Sequence, residues 1–347
     1  MKKIVAVLLM TLTIGFWAAR AQAQAPSLVP EIKFGKDQNL RLAISGFAQA
    51  TYCRETGGPS AGNDDWSWTN LRPRLTLSLK DHWEIGTVIN FADLQEPDSN
   101  WLRELYVGYK FDEKWKLSVG RVYLAAGYHT PDPFVIETVN YPLSDPFNTY
   151  AWGVLLEGSF GRDWSVKAAV SGVSGLSFSD AGCWNGLEFS ARLEKKFEQE
   201  IIGATLQASK DFCRIGTDFT WKPVSQFYIR AGLAYTQNAD SKASNRLGGY
   251  ASGAYRPAKW FEFHSQFDNI ADFQKSYQQW QKTASDDGSI TIDRAKCFTS
   301  NETDVIWTNG IRLFTGKNDL FSFTIDYETV LGGAKPDRLL ARTQFIF

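Results

Sequence analysis

Beyond Trp17 this 347-residue chain has no apolar run approaching the ~18 residues a transmembrane helix needs, and its mean hydropathy is negative. A helical membrane protein is therefore excluded. Histidine is scarce: His82, His129 and His264 are the three present, and no G-x-S-x-G sequence marks a nucleophile to go with them. The reading is that the chain is not an enzyme and needs no cofactor. The four cysteines include no CxxC and no histidine pair beside them, so a metal site is not expected. The net charge of -1 and the lack of any basic block remove the electrostatic case for nucleic acid. No Pro/Ser-rich linker or break in composition divides the chain.

Aromatic residues, by contrast, are abundant: 13 Trp, 13 Tyr and 24 Phe. The N-terminus reads as a secretory signal, with Lys2 and Lys3 ahead of an apolar stretch from Ile4 to Trp17. Small-x-small cleavage sequences follow at Ala21–Ala23 and Ala23–Ala25. The expected organisation is a signal peptide over 1–25 and one domain over 26–347. The last stretch, Leu339 to Phe347, sets the pattern for that domain. Leu339, Ala341, Thr343, Phe345 and Phe347 share one face at the strand period of two, with Arg342 and Gln344 on the other.

The same alternation recurs from Asn39 onward. It predicts strands at Asn39–Tyr52, Trp66–Lys80, Trp83–Ala92, Leu102–Phe111, Trp115–Tyr123, Ala151–Phe160, Trp164–Gly172 and Leu187–Phe197. Eight more follow at Ile201–Ser209, Phe212–Lys222, Phe227–Gln237, Arg246–Arg256, Trp260–Ile270, Asp304–Thr315, Leu320–Thr329 and Leu339–Phe347. In the fifth of these the phase turns Arg121 outward, which calls for a bulge or a place at the membrane interface.

Every second connection is a tight polar turn, such as Lys80-Asp81-His82, Asp112-Glu113-Lys114 or Pro257-Ala258-Lys259. The others are longer, notably Leu124 to Tyr150 and Ala271 to Thr303. Aromatics flank the short turns: Trp83, Phe111, Trp115, Phe160, Trp164, Trp221, Phe227, Trp260, Phe314 and Phe321, with Phe347 at the end. Short turns on one side, long loops on the other and an aromatic girdle are the pattern of a transmembrane barrel. The expected fold class is all-β, a transmembrane antiparallel β-barrel of about 16 strands in a Gram-negative outer membrane.

Three stretches resemble the phosphate-selective porin O/P-like group of outer-membrane porins: Asn70 to Leu75, Glu104 to Tyr109 and Leu117 to Arg121. The terminal Phe345 and Phe347 are similar to the signal by which outer-membrane barrels are recognised for assembly. The resemblance implies passive diffusion of small hydrophilic solutes or ions, a third loop folded into the lumen, and a homotrimer embedded in outer-membrane lipid. It departs at the third connection, where Leu124 to Tyr150 holds no lysine of the kind a phosphate constriction would use.

That connection is the candidate constriction, carrying Asp132, Glu137 and Asp145 with His129 and four prolines that stiffen it. Strand phase turns Arg41, Arg72, Arg74 and Arg342 into the lumen on strands that become neighbours on closure. Facing an acidic loop they would set up a transverse field; alternatively they pair with lumenal acids such as Glu84, Glu104 or Asp326. Cys53, Cys183, Cys213 and Cys297 all fall toward the long-loop side, where an oxidising compartment permits disulfides. Cys183–Cys213 joins adjacent loops and is the preferred pair, ahead of Cys53–Cys297. The competing class is an occluded barrel serving as a binding or structural component of a surface complex, followed by a barrel enzyme that assembles its site from dispersed residues.

Overall fold

The computed structural model describes residues 31–34, 39–56, 64–93, 101–124, 150–172, 187–210, 212–238, 246–270, 304–315, 321–331 and 337–346. The signal sequence, Asp132, Glu137, Asp145, His129, Cys183, Cys297 and Phe347 lie outside them. The strands are β1 (Glu31–Phe34), β2 (Leu40–Glu55), β3 (Asp64–Leu79), β4 (Trp83–Ile89), β5 (Leu102–Lys110), β6 (Trp115–Tyr123) and β7 (Tyr150–Phe160). They continue with β8 (Trp164–Gly172), β9 (Leu187–Lys196), β10 (Glu200–Ala208), β11 (Phe212–Val224) and β12 (Phe227–Asn238). The last five are β13 (Arg246–Ala258), β14 (Phe261–Ile270), β15 (Asp304–Thr315), β16 (Phe321–Leu331) and β17 (Arg338–Ile346). A 3-10 turn at Phe91–Asp93 ends the third predicted strand, Trp83–Ala92, earlier than its alternation suggested.

From β2 to β17 each strand pairs antiparallel with the next, and β17 pairs back onto β2, with Arg342 opposite Thr51 and Gln344 opposite Gln49. The result is a closed 16-stranded barrel with no free sheet edge over its span, as hydrocarbon requires. A ladder of side-chain amides crosses the closure on the inner face. Gln49 Nε2 donates to Gln344 Oε1 at 2.7 Å, and Asn70 Nδ2 donates to Gln49 Oε1 at 2.6 Å.

Beside β17, the short β1 occupies the rest of the same β2 edge, Glu31 to Phe34 lying opposite Ala43 to Leu40. The alternation there is only four residues long, so it left no mark in the strand pattern. Two devices tighten the short turns. Lys80 and Asp81 both take positive φ, 49° and 59°, which matches the right-handed twist of the hairpin they join. Asp112 Oδ1 accepts from the backbone N–H groups of Lys114 and Trp115 at 2.7 and 2.8 Å.

Burial follows parity. Outward positions of β9 to β11, for example, expose Phe189, Leu193, Ile202, Leu206, Ile215 and Phe219, while the inward positions between them hold Glu188, Arg192, Thr205, Gln207 and Asp218. An apolar outside around a polar inside inverts a soluble protein, and it is what lipid demands. The aromatic girdle forms as expected at the short-turn end, with Phe160 stacked on Trp164 and Trp221 edge-on to Phe227. Phe314 is the exception. It shares the inward phase of Arg312, and the Arg256 guanidinium lies over its ring, 3.9 Å from the centroid.

The expected outward phase of Arg121 holds, since it sits opposite Leu105 and Trp152, but pairing runs through it without a bulge. It lies near the long-loop end of β6, and its Nε donates to the Arg103 carbonyl at 3.2 Å. Gly120 beside it has φ of 138°, and any Cβ there would meet the β5 backbone.

Candidate functional site

The inner wall divides into two sectors. On β3 to β8 three inward cations stay open, Arg74 at 47% exposure, Lys110 at 43% and Lys167 at 42%, while Glu104, the partner of Arg74, is buried. Across strands β9 to β17 many of the corresponding groups are buried in pairs, Arg192 at 7% and Arg338 at 4%, while Arg214, Arg230 and Arg256 are half-buried. The most exposed of these cations in the lumen lie along β3 to β8.

Its charges come from single rows of the sheet. Register sets Lys110, Lys116, Glu157 and Lys167 side by side across β5 to β8. Lysines directly opposite each other repel, and Glu84 offsets this by taking Lys116 at 2.8 Å and Lys110 at 3.5 Å. The Tyr106 hydroxyl donates to the same carboxylate at 2.6 Å, its ring filling the space above Gly86. Glu157 takes Lys167 at 3.0 Å. A cavity of about 750 Å3 opens here at the short-turn mouth, between His82, Asp112, Trp115, Lys116 and Glu157. Toward the long-loop end the same sector becomes apolar, where Val122, Leu124, Ala151, Leu155 and Ala169 cluster at both roots of the third connection.

The four arginines expected to act as one row are placed at different heights. Arg41 lies at the short-turn rim, held by Asp81 and, at 3.7 Å, by Glu31. Arg74 reaches across β4 to Glu104 at 3.0 Å. Arg72 lies over the Phe47 ring, and Arg342 sits opposite Thr51. Ten positions of β2 separate Thr51 from Arg41, roughly 33 Å along the strand. These residues form a column along the wall, with Arg41 and Arg74 engaged by carboxylates. Asp326 is instead taken by His264.

The closed sector uses glycine as a passage. His264 Nε2 on β14 reaches Asp326 Oδ1 on β16 at 2.6 Å over Gly310 of β15, where any Cβ would collide with both. Both side chains are fully buried. Arg192 on β9 likewise crosses Gly203 of β10 to clasp Asp218 of β11 through two hydrogen bonds, at 2.5 and 2.8 Å. Arg312 faces Glu262 at 3.8 Å and Arg338 faces Glu328 at 3.3 Å. Strand parity turns these charges inward, and register decides which of them meet.

Cys213 stands half-buried near the long-loop end of β11, and Cys183 and Cys297, the partners expected for Cys213 and Cys53, lie outside the described residues. Cys53 stands on β2, far around the barrel from Cys213 on β11. No group of three or more potential metal ligands occurs among the described residues.

A closed polar-lined barrel with an apolar exterior defines the class, a transmembrane β-barrel with the fold of outer-membrane proteins. No family profile and no curated protein matches the chain. Solved structures do. A loop-deletion mutant of OmpT, an outer membrane protein of Vibrio cholerae, matches with a TM-score of 0.61 at 10% identity, over 89% of this chain and all of that one. OmpF of Salmonella typhi in complex with daunomycin matches at 0.58 and 11%, over 91% of this chain and all of that one. A triple mutant of the Rhodopseudomonas blastica porin matches at 0.55 and 10%, over 88% of this chain and all of that one. At these identities the likeness is one of fold.

Proposed function

We propose that the chain forms a water-filled channel in the outer membrane of a Gram-negative bacterium, through which small hydrophilic solutes diffuse passively. The observation that carries this reading is the set of half-exposed cations Arg74, Lys110 and Lys167 on β3 to β8, inside a barrel whose outer surface is apolar. On those strands Arg72, Arg74, Lys110, Lys116 and Lys167 stand against Glu84, Glu104 and Glu157 among the described side chains, so the wall has a surplus of positive charge. The channel accordingly favours anions, and does so mildly, because most of these cations share a carboxylate. Phosphate as the particular solute gains no support from this mixed wall.

No catalysis is assigned. The single His–Asp pair among the described residues has no exposed surface from which to reach a substrate. Three copies form the working assembly in this proposal; a Vibrio cholerae OmpT structure of similar fold is a trimer form. The burial of the β14 to β17 charges favours one competitor, a barrel whose lumen does not conduct.

Planar-bilayer recording with a salt gradient decides between them. The proposal expects ohmic steps in multiples of three and a reversal potential of anionic sign. Folded barrels that insert and pass no current would end it.

A further inference from the structure

Lys195 is the one lysine in the lipid-facing phase among the described strands. Its neighbour Glu194 turns inward to Arg192, and Lys195 pairs across the sheet with Trp164 on one side and Ile202 on the other. A cation in that phase at mid-membrane would be costly, but Lys195 stands next to the last residue of β9, beside the short turn. Its Nζ sits 4.9 Å from the centroids of both the Trp164 and Phe197 rings. Trp164 is fixed in turn by its stack on Phe160, 5.9 Å away and nearly parallel. No carboxylate among the described residues lies within ion-pair distance of it.

An ammonium held between two rings keeps its outer hydrogens free, and the hydrophobic stem runs down the apolar wall. The turn Gly161-Arg162-Asp163 lies next to it, the Lys196 N–H donating to the Asp163 carbonyl at 2.8 Å, and Arg162 adds an exposed cation. The rings lie where hydrocarbon gives way to headgroups, and a positive group at that depth meets lipid phosphate.

We infer that Lys195, clamped by Trp164 and Phe197, is a binding site for the phosphodiester of an anionic phospholipid in the leaflet on the short-turn side. Acyl chains of that lipid lie along the outward residues Leu193, Ile202 and Val166. The site rests on the membrane-spanning reading and is independent of whether the lumen conducts.

The test is native mass spectrometry of the mature protein released from vesicles of phosphatidylglycerol or of phosphatidylcholine with the same chains. Wild type is expected to retain phosphatidylglycerol roughly five-fold more than phosphatidylcholine, the factor one surface cation supplies. Lys195→Gln removes that preference and Lys195→Arg keeps it. Equal retention of both lipids by wild type overturns the inference, and so does unchanged retention by Lys195→Gln. Displacement of the lipid by millimolar inorganic phosphate would also overturn it, since the ligand would then be a soluble anion. The wild-type comparison stands even where Lys195→Gln fails to fold, and failure of wild type to enter vesicles at all would count against the membrane reading instead.

Discussion

A residue without a side chain decides which charges in this wall can meet. At Gly310 the space above the backbone is the route of a buried hydrogen bond, and at Gly203 of an ion pair, between the two flanking strands. Gly310→Ala forces His264 and Asp326 apart inside a wall that offers the carboxylate no water. Breaking a buried pair costs about 3–5 kcal/mol. A large fall in the unfolding midpoint of the detergent-solubilised barrel is expected, and the same for Gly203→Ala. Alanine at Gly253, where a Cβ meets nothing closer than 3.5 Å, should leave the midpoint nearly unchanged. Parity made the inward placement of His264, Arg192 and Asp218 legible in the sequence. Their pairing was not, because register across three strands is a property of the closed sheet. A glycine at an inward position between charged strands was the available signal. Phe314 teaches the converse: its nearness to a turn suggested the girdle, but two residues from inward Arg312 it had to face the lumen.

Strands and turns were the most legible scale, since lipid outside and water inside impose the period of two on every element. The short turns were readable for a local reason, being built from Asp, Gly and lysines that tolerate positive φ. What escaped was β1, too short for periodicity and placed by an edge that β17 leaves open. Its Ile32 and Phe34 prolong the apolar exterior, and its Glu31 helps hold Arg41. Deleting residues 31–34 should lower stability by on the order of 1–2 kcal/mol, as a few net hydrogen bonds would. Single-channel conductance should stay as it was, because β1 lies outside the ring of strands that encloses the lumen. A changed conductance with unchanged stability would show that β1 belongs to the mouth instead.

For the whole molecule, the selectivity of the proposed channel is a sum over the exposed charges of β3 to β8. The fold class and the strand count were legible from alternation and turn spacing, but the division into an accessible and a closed sector was not, since it depends on which carboxylates reach which cations. Lys167→Glu leaves four positive and four negative groups on β3 to β8 among the described side chains. The reversal potential should then fall close to zero, and Glu157→Gln should move it further toward anions. If Lys167→Glu leaves it where it was, the path of the ions lies along other strands.

The joining of β17 to β2 has a consequence in time. Gln49 and Gln344, which touch, are 295 residues apart in the chain. The first strand of the wall emerges early in synthesis and must keep its edge unsatisfied until the last strand arrives. No partial barrel can be complete on its own, so a chain stopped a few residues early forfeits the whole wall. Closing a loop of that length is slow, and the waiting edge is open to wrong pairings throughout. The fate of such a chain amounts to a single question, whether the end has found the beginning.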